Sequence, residues 1–483
     1  MMSNKRLYEL NNQVMESIGY RPLSNRIKPV HVANGLFREV LQEEHSLYTI
    51  NIWAKRFKQG KEINSAGYIM EKFSSALDED MTFDEINELR GYIEMLLNAD
   101  KAVQPELRYS TLTISAKSHV GSEVQNEFKI PHFIYKILIT EIDGEISPAI
   151  DTITNLLNDE TDEISKFVSP LITSTDSKRK EHFSTSKEEL VGVELQIRKG
   201  FDLLIENSKN TTNKLAFLQR IVTFSCFAVL YHLSSKILDI TFGNFTKKRI
   251  PLIFDSNNDD ETIKIASQES LLLVRLNIEN YYEKVLETIL LERYELNSKE
   301  DVLAHIEEYS FPDKLKIKSP KNKISSHDEM KNLFLGYFNQ TNNLIESYAR
   351  SIRIIMFSRV INSSDPSESY TALGTKIGMI FGRTKKRFKP TPEILEIILL
   401  SLLQKNNSLT LSELGKRIWE NYGIIIGANP EDDFNQLKSW GISEHIPGDL
   451  HSSLSLNADY ISETFISMGY AKRYADGVII FSL

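Results

Sequence analysis

The sequence predicts a mainly α-helical protein: a multi-helical body with a few short strands, followed by a C-terminal winged-helix-like domain. Three observations lead there. Glycine (21) and proline (14) are scarce in 483 residues while Leu, Ile, Glu and Lys are plentiful, a balance that favours helix over turn and strand. Long stretches repeat apolar residues at helical spacing. Residues 390–483 run helix, short strand, helix, helix, β-hairpin, the element order of a winged helix with one helix added.

Residues 1–165 read as a mostly helical domain with some strands. In TFDEINELRGYIEMLLNAD, Thr82 and Glu85 form a capping box, and Ile86, Leu89, Ile93, Leu96 and Leu97 follow at helical spacing. RYSTLTISAK (108–117) alternates and is β-branched, which suits a strand. FIYKILIT (133–140) fits a strand or a short buried helix equally well. Residues 166–370 read as a helical domain, entered through a polar, Ser/Thr-rich stretch between 160 and 190. RIPLIFD (249–255) interrupts its helices as a short strand. NSSDPSES (362–369) then breaks the pattern, so the boundary falls there, and a chain cut after about 370 should stay soluble.

Residues 371–483 open with a basic arm and continue as the winged-helix-like domain. Thr391 caps a helix with Pro392 at its first position. Thr410 and Glu413 make a capping box for the next, with Leu411, Leu414, Ile418 and Trp419 as its core stripe and Gly423 as its stop. Asn429 caps a third helix, with Pro430 at its first position and acids at its positive end. Asn457 caps a fourth, whose Ile461, Phe465 and Met468 face inward. Asp476-Gly477 between β-prone runs marks a hairpin, the wing.

Charge sets this domain at odds with its fold. The chain carries a net charge of -9, and residues 390–483 hold six basic against twelve acidic residues. The presumed recognition helix, NADYISETFISMG, contains Asp459 and Glu463 and no Lys or Arg. A helix that reads a DNA groove neutralises phosphates, and this one repels them. The cations of the right sign are Arg383, Lys385, Lys386, Arg387 and Lys389 in the arm and Lys472 and Arg473 on the wing. These seven are the candidate DNA-binding residues. Three further basic clusters, at 178–180, 247–249 and 314–323, read as solvated loops.

No nucleotide-binding, zinc-protease or paired-cysteine motif occurs, so no cofactor, metal or catalytic residue is expected. His445 and His451, with Glu444 and Asp449, read as a polar loop rather than a metal site. STSK (184–187) has the spacing of a serine acyl-enzyme but lacks companion motifs. The acids of PEDD (430–433) are helix N-terminal charges, and Arg350, Arg353 and Arg359 are expected to pair with acids of a neighbouring helix. The lone Cys226 excludes an internal disulfide. The N-terminus has no apolar signal core, and the apolar run Ile221–Leu233 is broken by Thr223, Ser225 and His232. A cytoplasmic protein without a membrane span follows as the expectation.

The segment LGTKIGMIFGRTKKRFKPTPEILEIILLSLLQKNNSLTLSELGKRIWENYGIIIG, together with RIPLIFD followed by SQESL, resembles the accessory G component (DptG/DndG) of bacterial phosphorothioation-dependent restriction systems. The resemblance implies an antiviral defence subunit that works beside a HerA/FtsK-type motor ATPase and other restriction components on DNA lacking the host's modification. It carries over no catalytic residue. The leading expectation is therefore a non-catalytic scaffold or adaptor. The alternatives are a direct DNA-binding winged-helix protein, a regulator or kleisin-like bridge, and a cryptic nuclease.

Overall fold

The computed structural model describes residues 5–21, 27–44, 57–58, 61–62, 64–72, 74, 80–102, 129–158, 178–179, 189–242, 249–257, 260–308, 326–357, 366–405, 407–442 and 449–483. Among the described residues the chain is mainly helical, with 17 helices and a few short strands. The strand expected at 108–117 lies outside them.

One helix organises the body. Lys214–Phe242 is 29 residues long, and residues 221–235 are all buried. A helix apolar on every side must sit inside something. Here it is packed by helices Pro29–Leu41, Gly192–Ser208, Glu261–Arg293, Pro366–Lys376 and Pro392–Leu400. Ala216–Lys236 is long and apolar enough to cross a membrane, and 83% of that window is covered by the protein itself. The residues read as interruptions are absorbed. Ser225 Oγ donates to the Ile221 carbonyl at 2.8 Å, and His232 is bonded through both ring nitrogens. Burial pushes the Cys226 thiol up to about 12.

FIYKILIT resolves as helix, Ile130–Ile139, with Pro131 in its first turn. Arg198, 2% exposed, fixes it in place. Its guanidinium donates to Asp202 at 2.9 Å, to the Glu145 carbonyl at 3.1 Å and to the Thr140 carbonyl. A buried guanidinium without these partners would cost several kcal/mol.

The Thr82–Glu85 box is present, with the Thr82 amide 2.8 Å from the Glu85 carboxylate, at the start of Phe83–Ala102. Thr410 and Glu413 form the second box, at Leu411–Tyr422, and Gly423 ends that helix at φ +68°. Three assigned caps differ. Asn429 precedes the helix Pro430–Ser439, but its side chain makes no capping bond and donates instead to the Ser412 carbonyl at 3.0 Å. Thr391 is the cap residue of Pro392–Leu400, yet its hydroxyl makes no capping bond. Its amide instead donates to the Gly378 carbonyl at 2.9 Å. Asn457 is no cap at all. The last helix spans Leu450–Ser467, and Asp449 caps it by accepting the Ser452 amide at 3.2 Å.

The C-terminal sheet has the order Ala471–Arg473, Ile479–Phe481, Leu409–Thr410, all antiparallel. Gly477 turns its hairpin at φ +83°. A second pairing joins distant parts of the chain. Leu252–Ile253, the strand expected in RIPLIFD, pairs in parallel with Ile424–Ile425. Strands of two residues leave backbone groups without ladder partners, and buried ones must find others. Asn457 supplies three bonds. Its Nδ2 donates to the carbonyls of Phe254 (2.8 Å) and Ile426 (3.0 Å), and its Oδ1 accepts the Ser256 amide at 2.8 Å. Ser267 Oγ donates to the Ile253 carbonyl at 2.8 Å and accepts the Phe388 amide at 3.0 Å.

The apolar core follows the same seam. Its larger cluster takes residues from Leu7 to Phe481. A smaller one joins Ile253, Ile263 and Ala266 to Ile425, Leu437, Ile442, Leu450 and Leu454. A chain ended at 370 would expose the first three, so, contrary to the solubility expected from the sequence, that fragment is expected to be insoluble, as scored by its share in the supernatant after lysis. Asn457→Ala is expected to lower unfolding stability by about 3 kcal/mol or more, since each buried group left unpaired costs roughly 1–3 kcal/mol. The denaturant midpoint measures it, and a loss under ~0.5 kcal/mol would contradict the assigned role.

Candidate functional site

The arm is a tight hairpin. Ile380–Phe381 pairs antiparallel with Arg387–Phe388, Phe381 opposite Arg387. Two further bonds extend its base: the Lys389 amide to the Met379 carbonyl at 3.0 Å and the Thr391 amide to the Gly378 carbonyl at 2.9 Å. Gly382 begins the turn at φ +106°, where an added Cβ would run into the Lys385 carbonyl. Only glycine fits both demands.

The five cations divide by direction. Arg387 turns inward, 12% exposed, and ion-pairs with Asp255, whose side chain is fully buried. Burial pushes the Asp255 carboxyl above its usual range, and Arg387 and Lys389 offset only part of that. The Asp255 amide meanwhile donates to the Phe388 carbonyl at 2.9 Å. Arg387 therefore anchors the hairpin to the body. Arg383 and Lys385 are exposed and Lys386 is half-buried. Among the described residues none of these three forms an ion pair.

Between the cations stands an aromatic ring that counting charges overlooks. Phe381 is 58% exposed, while its neighbour Ile380 is 2% exposed. The Arg387 guanidinium lies 5.8 Å and the Lys389 ammonium 5.1 Å from its ring centroid. Both distances are within cation–π range. Period-two alternation through IFGRTKKRF is the signal that could have found it.

The 450–467 helix presents a different surface. Its outward residues include Leu456 and Tyr460, 49% and 47% exposed, with Asp459 and Glu463 beside them. The helix contains no Lys or Arg. Of the wing cations, Arg473 pairs with Glu463 at 2.7 Å, both side chains about half exposed. Such a pair stabilises by under ~1 kcal/mol, but it turns that cation back onto the helix's own acid. Lys472 lies 5.4 Å from the Tyr474 ring. The wing packs on the 450–467 helix, whereas the basic hairpin packs on Glu261–Arg293 and Pro366–Lys376. The seven candidate cations thus belong to two separate sheets.

Other candidates have structural work to do. Arg249, from the 247–249 cluster, is 6% exposed and donates to Tyr231 Oη at 3.1 Å and the Asn421 carbonyl at 3.0 Å. Arg353 pairs with Glu279 (2.9 Å) and Glu283 (2.6 Å), as expected, and Arg350 lies 4.5 Å from the Tyr337 ring. His451 stacks on Phe434 with centroids 4.3 Å apart. His445, Glu444, Arg359, STSK and the 314–323 cluster lie outside the described residues. Among the described residues no three His, Cys, Asp or Glu are placed to hold a metal.

Tyr20, His232 and Glu194 form a chain of 2.8 Å and 3.3 Å contacts in the order of a proton relay. Tyr20 is 0% exposed, so its hydroxyl is out of reach of a substrate. Burial opposes the charge on Glu194, but His232 and Lys236 outweigh it and hold the carboxyl down at about 2. The network ties helices 192–208 and 214–242 to the segment that follows helix 5–18.

The sequence matches no protein-family model and no curated protein.

Within PEDD, Asp433 is a buried exception, 8% exposed, accepting the Asn429 amide at 3.3 Å. Burial pushes its carboxyl up to about 6. A carboxyl raised in the folded state favours folding fully below the unfolded value near 3.8. That contribution, about 3 kcal/mol, is lost as pH rises through about 6. Asp433→Asn is therefore expected to flatten the stability profile between pH 4 and 6, as read from denaturant midpoints across that range. An unchanged slope would contradict the assignment.

Proposed function

We propose that the chain is a non-catalytic scaffold or adaptor subunit of a cytoplasmic anti-phage DNA-defence assembly. It docks a partner protein through the outer face of its 450–467 helix and touches DNA through its basic hairpin. The observation that carries the docking reading is that helix face: Leu456 and Tyr460 exposed, Asp459 and Glu463 flanking them, and no cation on the helix. Helices 392–400, 411–422 and 450–467 with the sheet order 471–473, 479–481, 409–410 support a winged-helix-like reading, the helix 430–439 being the addition. In that arrangement the 450–467 helix takes the recognition position. Its charge favours a protein surface that is apolar at the centre and basic at the rim. The resemblance to accessory restriction subunits supplies the partner's class, a HerA/FtsK-type motor ATPase.

The second reading, a DNA-binding protein proper, draws its support from the exposed Arg383 and Lys385 and the half-buried Lys386, the hairpin cations without an ion pair among the described residues. The two readings separate in one experiment. The tagged full chain is recovered from its host with and without nuclease, beside a Leu456→Asp, Tyr460→Ala variant. A motor ATPase retained after nuclease and lost in the variant is the expected result. Partners that vanish with nuclease and ignore the variant would overturn the docking reading in favour of direct DNA binding.

A further inference from the structure

We infer that the 380–388 hairpin is a contact for single-stranded nucleic acid, in which Phe381 stacks on an unpaired base and Arg383, Lys385 and Lys386 hold the flanking phosphates. This rests on the reading that the hairpin touches DNA and names the form of DNA it takes. Three observations carry it. The ring is out in water, 58% exposed, on a strand whose other residue is buried. A single exposed Phe is common, but this one has two cations against its ring, at 5.1 and 5.8 Å from the centroid, inside a chain of net charge -9. Positive charge beside an exposed aromatic ring is the arrangement by which proteins hold single strands without reading sequence.

The second observation is the division of labour among the cations. Arg387 is committed to Asp255 and fixes the strand. Arg383 and Lys385, at the tip, point to solvent and carry no ion pair among the described residues. Phosphate binding alone would need those tip cations and no ring. Inside a duplex the bases are already stacked and offer no face to Phe381, so the ring adds affinity only where a base is unpaired.

The third is rigidity. Bonds to Asp255 and Ser267 hold strand 387–388 to the body, bonds at Met379 and Gly378 hold the two strands to each other, and the glycine turn at Gly382 sets the tip. A stacking ring held in advance loses little entropy on binding.

The test uses the full chain and two fluorescent probes, an oligo(dT) of about 20 nucleotides and a duplex of the same length, followed by anisotropy at two salt concentrations. The expected results are threefold. Phe381→Ala weakens single-strand binding by about ten- to a hundredfold and leaves duplex binding unchanged. Phe381→Trp retains single-strand binding. The triple change of Arg383, Lys385 and Lys386 to Ala weakens both probes and flattens the salt dependence. Melting curves check that each variant folds, which is expected because Phe381, Arg383 and Lys385 are exposed and Lys386 is only half-buried. Equal effects of Phe381→Ala on both probes, or none on either, would overturn the stacking inference. If the triple change still weakened both probes, the phosphate contact would stand without it. A triple variant that binds like the parent, or a parent that binds neither probe, would overturn both the inference and the DNA contact beneath it, while leaving the docking face to its own experiment.

Discussion

The arrangement of the C-terminal quarter depends on one buried amide, that of Asn457. Strands 252–253 and 424–425 are two residues each, too short to satisfy their own backbone. Asn457 meets both, taking the Ser256 amide from one side and giving to carbonyls on each. Around it, Ser267 and Asp255 bind the hairpin strand 387–388 to the same place. Three segments far apart in sequence thus share one polar seam, roofed by apolar residues from both sides. Apolar burial supplies most of the driving force, but it is non-directional. The seam fixes which surfaces end up outside: the Leu456–Tyr460 face of the last helix and the tip of the basic hairpin.

That sorting explains how an acidic chain presents a basic feature. Charges in water are screened over about 8–10 Å at physiological salt, so a ligand meets the local field and not the total. Arg387 and Arg249 point into the protein and Arg473 toward Glu463, which leaves the hairpin tip as a compact positive site. The last helix, with Asp459 and Glu463 outward, has the opposite character. One end of the chain therefore offers two chemically distinct surfaces, one on the last helix and one on the basic hairpin. A subunit that bridges a protein and a nucleic acid needs that separation, because a single mixed surface would set its ligands in competition.

Much of the local structure was legible in the sequence because its causes are local. Helical spacing located the core helix, Thr410 and Glu413 their capping box, and Asp476-Gly477 the hairpin. FIYKILIT stayed ambiguous because an apolar run fits either period, and burial by Arg198 and the neighbouring helices settled it. Asn457 misled for a physical reason. An Asn before an apolar run has the pattern of a cap, but its side chain was claimed by carbonyls at 254 and 426, and nothing within a helical turn of it reports that. The inward arginines failed in the same way. Arg249 and Arg387 sit in basic clusters that look solvated, and their partners Tyr231, Asn421 and Asp255 lie 18 to 172 residues away. Phe381 does not stand out in the charge pattern along the chain, because its meaning lies in strand register.

The central claim is that the last helix is built into the body through the Asn457 seam and that this fixes the orientation of both candidate surfaces. Hydrogen exchange read by mass spectrometry tests it most directly. Peptides covering 249–257, 387–388 and 450–467 are expected to exchange together, with the slow rate of the helix 214–242. Early exchange across 450–467 while 249–257 and 214–242 stay protected would contradict it, since the C-terminal module would then open by itself.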